Sequence, residues 1–180
     1  MKEVLVLMGS PRKSGNCDRL CDEFIRGAEE SGHKTEKVYL RDKNIKDCTG
    51  CCVCQKNGGV CVQKDQMLEI YKKLEQADVI VLASPVYYYS WSSLIKRMID
   101  RTVAVSSKLK NKTFYLISAG QAPTEEYMTT MIDCFRKYIG CFRGEGNKEG
   151  RYLFGYGTDK PRDVVGTEAM KQAYQMGKEV

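Results

Sequence analysis

The chain has 180 residues, of which 42% are hydrophobic, and a formal net charge of +6. This length is enough for one well-packed core, so we expect a single domain over residues 1–180. Basic and acidic residues alternate along the chain, which argues against a nucleic-acid-binding patch, and no apolar run approaches the roughly 20 residues of a membrane span. We therefore predict a cytoplasmic protein without nucleic-acid or membrane partners.

Short apolar runs alternate with helical segments in chain order. We predict strands at residues 4–8, near 35–40, at 79–83, at 114–117 and between 140 and 154. Apolar residues at helical spacing predict helices over 17–28, 67–74 after an N-cap at Asp65, 91–99 beginning at Trp91, 128–139 and 169–176. Continuous apolar strands that alternate with helices indicate an α/β fold, a doubly wound parallel sheet with helices on both faces.

The loop after the first strand reads GSPRKSGNC over residues 9–17 and leads directly into a helix. Backbone N–H groups at a helix N-terminus, serine hydroxyls and the charge of Arg12 or Lys13 together can bind a phosphate. The loop has neither the GxGxxG nor the GxxxxGK[ST] pattern, so the usual dinucleotide site and the P-loop are not indicated. A surface turn that only caps the helix is the alternative.

Two later loops also follow strands, where doubly wound sheets bind their ligands. The stretch SPVYYYSW over residues 84–91 holds four aromatic residues in five positions, which can form a platform for a flat ring system. Core packing is the alternative, and it is favoured for Trp91. The stretch SAGQ over residues 118–121 has small residues that permit close backbone approach to a ligand.

These segments carry a resemblance to a known family. GSPRKSGN, ASPVYYYS and SSLIKRMIDR occur in that order and resemble the motifs of flavodoxin-like NAD(P)H-dependent FMN reductases. The resemblance covers most of the chain, and it implies a flavodoxin-like five-stranded parallel sheet, FMN as cofactor and NAD(P)H as electron donor. It also implies that the first loop binds the FMN phosphate and that the other two border the ribityl chain and the ring. The cofactor-binding residues assigned in this way are Ser10, Arg12, Ser14, Asn16, Cys17, Pro85, Val86, Tyr87, Tyr88, Tyr89, Ser118, Ala119 and Gly120.

Five of the nine cysteines lie within CTGCCVCQKNGGVC, residues 48–61. Cys48, Cys51, Cys54 and Cys61 have the spacing C-x2-C-x2-C-x6-C, and four thiolates in one loop can bind a [4Fe-4S] cluster or a tetrahedral zinc ion. The iron-sulfur flavoproteins, a branch of the same family, have a compact motif of this kind at this position. Free or redox-active thiols remain a third interpretation of these four residues.

The single histidine, His33, directly follows a helix-ending glycine, where a surface position is favoured over a role in a serine-histidine triad. One histidine also cannot form a histidine-rich zinc hydrolase site. Flavin chemistry needs neither, and we expect no catalytic acid or base side chain. The sequence therefore predicts an FMN-dependent oxidoreductase that takes hydride from NAD(P)H and reduces a small acceptor such as a quinone or a flavin. The alternative is an iron-sulfur flavoprotein or electron carrier that passes single electrons between FMN and a cluster to a protein partner. The family resemblance and the surplus of tyrosines also imply a homodimer or homotetramer.

Overall fold

The computed structural model describes residues 1–180 and contains one sheet of five parallel strands. The strands are β1 (Glu3–Met8), β2 (Lys34–Tyr39), β3 (Val79–Pro85), β4 (Thr113–Ala119) and β5 (Lys148–Gly155). Their order in the sheet is β2-β1-β3-β4-β5, which is the flavodoxin-like order. This confirms the predicted fold class and places the reversal of winding between β1 and β3.

Six helices connect and cover the strands. They are α1 (Asn16–Glu30), α2 (Val53–Lys56), α3 (Met67–Gln76), α4 (Ser93–Arg101), α5 (Thr129–Gly140) and α6 (Glu168–Lys178). Short 3-10 turns occur at Leu40–Asp42, Thr102–Val105 and Glu125–Met128. None of the helices has the length and the apolar character needed to cross a bilayer.

Two details of the predicted helices were wrong, the start of α4 at Trp91 and the N-cap of α3 at Asp65. Trp91 precedes α4, because Ser92 is the N-cap and its hydroxyl accepts a hydrogen bond from the N–H of Ile95. Trp91 is nevertheless buried in the core, as we predicted. The cap position of α3 is Gln66, although the Asp65 carboxylate does accept a hydrogen bond from the N–H of Met67 at 3.1 Å. The short helix α2 inside the cysteine loop was not predicted.

The core consists of two layers, one on each face of the sheet. Alternate residues of the strands point to opposite faces, so Leu5 and Leu7 pack with α3, α4 and α5, while Val4 and Val6 pack with α1 and α6. β2 is an edge strand and only Val38 is buried in it, which explains its mixed sequence KTEKVY. Strands β1, β3 and β4 supply the continuous apolar runs that made the sheet predictable. β5 is the other edge strand and is buried only over residues 153–155.

Helices α1 and α6 pack closely because each carries a glycine at the contact. A Cβ atom on Gly27 would lie 2.1 Å from the carbonyl oxygen of Tyr174, and one on Gly177 would lie 2.0 Å from that of Phe24. These backbone oxygens cannot move aside independently of their helices. The two glycines are therefore required by packing and not by backbone conformation.

Substitution of Gly27 by alanine is expected to lower the free energy of unfolding by about 1–3 kcal/mol, the usual cost of an overpacked contact. The matched control is Gly140→Ala in α5, where an added Cβ meets nothing within 4 Å. Urea unfolding followed by circular dichroism measures both variants. Equal stability of the two would contradict this account of the α1 and α6 contact.

Candidate active site at the strand ends

The loop between β1 and α1 is held open by its own hydrogen bonds. The Ser10 hydroxyl accepts the N–H of Arg12 at 3.1 Å, and Ser14 has a left-handed backbone with φ of 57°. The N–H of Ser14 donates to the Asp18 carboxylate at 2.7 Å, while no side chain caps the N-terminus of α1 at Gly15. The first N–H groups of α1 are therefore free to bind an anion.

Asp18 is a buried anchor for this loop. Its carboxylate accepts hydrogen bonds from Lys37 at 2.7 Å and from the Tyr39 hydroxyl at 2.9 Å. Burial would lower the pKa of Lys37, but its hydrogen bonds with Asp18 and Asp22 outweigh burial and raise that pKa. Because Lys37 stays charged, it neutralises Asp18, and the buried carboxylate does not repel an anion bound at the helix end.

A buried chain of serine hydroxyls joins the ends of three strands. Ser118 donates to the carbonyl oxygen of Ser84 at 2.5 Å, and the Ser84 hydroxyl accepts the N–H of Ser92 at 2.9 Å. The Ser92 hydroxyl then donates to the carbonyl oxygen of Gly9 at 2.6 Å. Side chains with satisfied buried hydrogen bonds keep fixed positions. The chain thus fixes β1, β3 and β4 relative to one another where the winding reverses.

A cavity of about 340 Å³ opens at this edge of the sheet, a size within the range of small-molecule sites. Ten predicted cofactor residues line it: Ser10, Arg12, Asn16, Cys17, Pro85, Val86, Tyr87, Tyr88, Ala119 and Gly120. Three others do not. Ser14 and Tyr89 are sequence neighbours of the lining residues Gly15 and Tyr88 but do not line the cavity themselves. Ser118 is fully buried, where it forms part of the chain of serine hydroxyls.

The segment after β5 is a part of the site that the sequence motifs did not predict. Thr158, Asp159 and Pro161 line the cavity together with Gly15 and Gln121. Two predicted residues hold this segment in place: Arg12 donates to the carbonyl oxygen of Asp159 at 3.3 Å, and Asn16 donates to that of Lys160 at 3.0 Å. The turn residues of YGTDKP directly after a strand were the signal that could have identified it.

Two tyrosines, Tyr87 and Tyr88, form an aromatic wall of the cavity. Tyr87 is 44% exposed and Tyr88 is 99% exposed, so neither is needed for the core. Tyr88 and Tyr89 both have a left-handed backbone, with φ of 49° and 63°, and such conformations in bulky residues cluster at binding sites. Tyr89 is not among the lining residues and stacks on Tyr127 with ring centroids 6.5 Å apart. The wall available to a ligand thus consists of Tyr87 and Tyr88.

Cys17 lies beneath the cavity at the start of α1 and is 3% exposed. Burial raises the pKa of its thiol to about 12. The side chain is therefore neutral at physiological pH and adds no negative charge beside a bound anion.

The residues of this cavity fit FMN at both ends. The uncapped end of α1, the Ser10 hydroxyl and the Arg12 guanidinium are donors for a phosphate. Tyr87, Tyr88 and residues 119–121 line the rest of the cavity and could border a flat ring, and a Cβ on Gly120 would approach Val86 to 3.1 Å. The arrangement can bind a phosphorylated planar cofactor at the β1 and β3 junction.

The cysteine loop forms a second cavity, of about 370 Å³, beside the C-terminal end of α4. Cys48, Cys51, Cys54 and Cys61 all line it, as does Cys52. The four thiols of the predicted motif do not converge to coordination distance, since no group of three or more Cys, His, Asp or Glu side chains is placed to hold a metal ion. The donor set nevertheless consists of thiols, which matches the ligand preference of an iron-sulfur cluster in type and number.

The thiols of this second cavity influence one another. Burial and the neighbouring Cys61, Cys51 and Cys48 raise the pKa of Cys54. Hydrogen bonds from the N–H of Val53 and from Thr49 lower the pKa of Cys51. The pKa of Cys54 thus depends on the other three thiols of the motif, which lie close to it in the same cavity.

Most of the chain matches a known protein family. Residues 2–142 match the family described as NADPH-dependent FMN reductase. A relative named iron-sulfur flavoprotein from Archaeoglobus fulgidus is 34% identical over 187 residues, covering 100% of this chain and 79% of the relative.

Two solved structures have a similar fold at low sequence identity. One is an FMN-dependent NADH-azoreductase from Bacillus anthracis in complex with FMN, with a TM-score of 0.76, 15% identity and 99% coverage of each chain. The other is an NAD(P)H:quinone oxidoreductase from Methanothermobacter marburgensis, with a TM-score of 0.75, 14% identity and coverage of 98% of this chain and 94% of that one.

The flavodoxin-like sheet and the strand-end cavity, together with these matches, define an FMN-dependent oxidoreductase. The chain belongs to the NADPH-dependent FMN reductase family, and it is similar to the iron-sulfur flavoproteins of that family. The family resemblance predicted from the three sequence motifs is confirmed.

Proposed function

We propose that this protein binds FMN in the strand-end cavity, takes hydride from NAD(P)H and reduces a small acceptor such as a quinone or a flavin. One observation carries the proposal: a single cavity joins the uncapped N-terminus of α1 to a wall of exposed tyrosines at the reversal of winding. The azoreductase and the quinone oxidoreductase with the same fold are both small-molecule reductases by name, which supports this class of acceptor.

In this proposal the protein supplies binding and orientation. Bound FMN would supply the hydride and single-electron chemistry. Ser10 and the first N–H groups of α1 hold the phosphate, and Arg12 compensates its charge. Tyr87 and Tyr88 pack against the ring and shape the space in which a nicotinamide or an acceptor stacks. No side chain is assigned as a catalytic acid or base.

Replacement of Tyr87 by alanine is expected to raise KM for NAD(P)H or the acceptor severalfold more than it lowers kcat, because the ring contributes stacking and not chemistry. Steady-state oxidation of NADH and NADPH at 340 nm, with FMN affinity measured by fluorescence titration, tests this. Tyr174→Ala is the matched control, since Tyr174 lies in α6 and is not among the residues that line the cavity. Unchanged KM values and FMN affinity in Tyr87→Ala would show that Tyr87 does not contribute to binding at this site.

We infer as a second candidate that the protein is an iron-sulfur flavoprotein that passes single electrons between FMN and a cluster. Four cysteines of one loop line one cavity, and the Archaeoglobus fulgidus relative carries this name. Cys48, Cys51, Cys54 and Cys61 would be the ligands of a [4Fe-4S] cluster. The cavities lie near opposite ends of α4 and share no lining residue, so the two groups would occupy separate sites.

Anaerobically purified protein is expected to contain about four irons and four acid-labile sulfides for each FMN. Cys54→Ser should lose most of this iron and sulfide and keep its FMN, because the serine hydroxyl is a poor substitute for a thiolate ligand. Cys141→Ser, at an exposed position outside the cavity, is the control. FMN without iron or sulfide in the unaltered protein would leave the reductase as the function, and zinc content and thiol titration would then distinguish zinc from free thiols.

We further propose that residues 1–180 act as one FMN-binding domain in a cytoplasmic homodimer or homotetramer. Tyr88 at 99% exposure and the stacked pair of Tyr89 and Tyr127 give an aromatic surface beside the cavity that a second copy could cover. Light scattering at several concentrations measures the number of subunits.

A further inference from the structure

Arg101 connects the last turn of α4 to the cysteine cavity from the inside of the protein. Its side chain is 1% exposed and lines the cavity. The Nη2 group donates a hydrogen bond to the Sγ atom of Cys61 at 3.4 Å. A buried guanidinium therefore contacts one of the four thiols of the motif directly.

Asp65 fixes the orientation of this guanidinium. Its carboxylate accepts from Nη1 of Arg101 at 2.8 Å and from Nη2 at 3.2 Å, and its side chain is also 1% exposed. Nη1 additionally donates to the carbonyl oxygen of Lys46 at 2.8 Å, and the Tyr71 hydroxyl donates to the carbonyl oxygen of Arg101 at 2.9 Å. The side chain is thus held in one position, and its sulfur contact is not a chance rotamer of a surface arginine.

One donor of Arg101 has no partner. Among the buried side-chain nitrogen and oxygen atoms of the protein, only Nε of Arg101 makes no hydrogen bond. An unsatisfied buried N–H is costly, about 1–3 kcal/mol, and a charged group costs more. Because Arg101 lines the cavity of the cysteine loop, its unpaired Nε–H suggests that a further hydrogen-bond acceptor binds in that cavity.

We propose that Arg101 is a positioning residue of the cysteine site, which donates N–H···S hydrogen bonds to Cys61 and to an iron-sulfur cluster and thereby raises the reduction potential of that cluster. The proposal rests on the second candidate function. Thiolate ligands make a cluster anionic, and one-electron reduction adds a further negative charge. Donors and positive charge next to the sulfurs stabilise the reduced state more than the oxidised one.

The test compares Arg101→Lys with the unaltered protein, both purified without oxygen and with FMN bound. Lysine keeps a positive charge for Asp65 but lacks the forked donors that reach both the carboxylate and the sulfur. We expect iron, sulfide and FMN contents close to those of the unaltered protein. The midpoint potential of the cluster, measured by redox titration with electron paramagnetic resonance, should fall by about 59 mV or more, a tenfold change for a one-electron couple.

Arg97→Gln is the control, because Arg97 lies on the same helix and pairs with Asp47 at 2.7 Å without contacting a thiol. An equal fall in potential in this control would mean that any cation on α4 has the same effect, and it would overturn the specific role of Arg101. Iron in the unaltered protein with an unchanged potential in Arg101→Lys would overturn this inference alone. Absence of iron in the unaltered protein would overturn the second candidate function and this inference together.

A second variant distinguishes the loss of the Arg101–sulfur contact from a folding defect. The double substitution Arg101→Met with Asp65→Leu removes both charges, so no unpaired buried ion remains. It should fold, bind FMN and show the same fall in potential. If both variants failed to bind FMN and lost the circular dichroism of the unaltered protein, Arg101 would have a role in folding only and the proposal would be wrong.

Discussion

Replacing Arg101 alone with methionine is expected to lower the free energy of unfolding by about 3–5 kcal/mol. The change leaves Asp65 as a buried carboxylate without its cation, although the N–H groups of Lys46 and Met67 still donate to it. The double variant with Asp65→Leu should recover most of this loss. Urea unfolding at pH 7 measures both, and a loss below 1 kcal/mol in the single variant would contradict the importance of the pair.

The Arg101–Asp65 ion pair also predicts that the free energy of unfolding depends on pH. Burial would raise the pKa of Asp65, but the Arg101 hydrogen bonds and two backbone N–H groups outweigh it, so that pKa is lowered. A carboxyl group with a lowered folded-state pKa stabilises the protein fully above its ordinary pKa of about 4, and this stabilisation is lost as the pH falls through the lowered value. The stability difference between the unaltered protein and the double variant should therefore shrink in acid.

Substitution of Ser10 by aspartate is expected to weaken FMN binding about a thousandfold. Ser10 lines the cavity and is 5% exposed, so a carboxylate there would lie next to the proposed phosphate position with little solvent screening. Two unit charges about 4 Å apart repel by about 4 kcal/mol at an effective dielectric constant of 20, and each 1.4 kcal/mol is tenfold in affinity.

Fluorescence titration of the apoprotein with FMN measures this effect. Ser107→Asp makes the same charge change at an exposed site outside the cavity, and it should bind FMN like the unaltered protein. Riboflavin, which lacks the phosphate, should lose much less affinity in Ser10→Asp than FMN does. An equal loss for both ligands would place the phosphate elsewhere in the cavity.

The spacing of apolar residues alone does not determine where a helix begins. An apolar residue such as Trp91 fits the helical pattern of α4 although it lies outside the helix, because core burial and helix membership produce the same spacing. The hydroxyl of Ser92 decides the boundary by accepting the N–H of Ile95. Its effect depends on a backbone conformation that a pattern of apolar residues does not contain.

The residues of the candidate site also differ in whether local sequence can predict them. The first loop could be recognised because the donors of residues 9–17 are contiguous in sequence. Thr158, Asp159 and Pro161 reach the same cavity from about 140 residues further along the chain, and they do so because β5 lies at the edge next to β4. Their residue types alone are those of an ordinary turn.

The sequence by itself determined the fold class and the family, because buried parallel strands require continuous apolar runs and the three loop motifs occur at their ends. It also determined which cysteines form a motif. Only the tertiary structure decided that these thiols share a cavity with Arg101 and that Asp65, 36 residues away, holds that arginine. Contacts between distant segments follow from how α3 and α4 pack on the sheet, and local spacing carries no information about them.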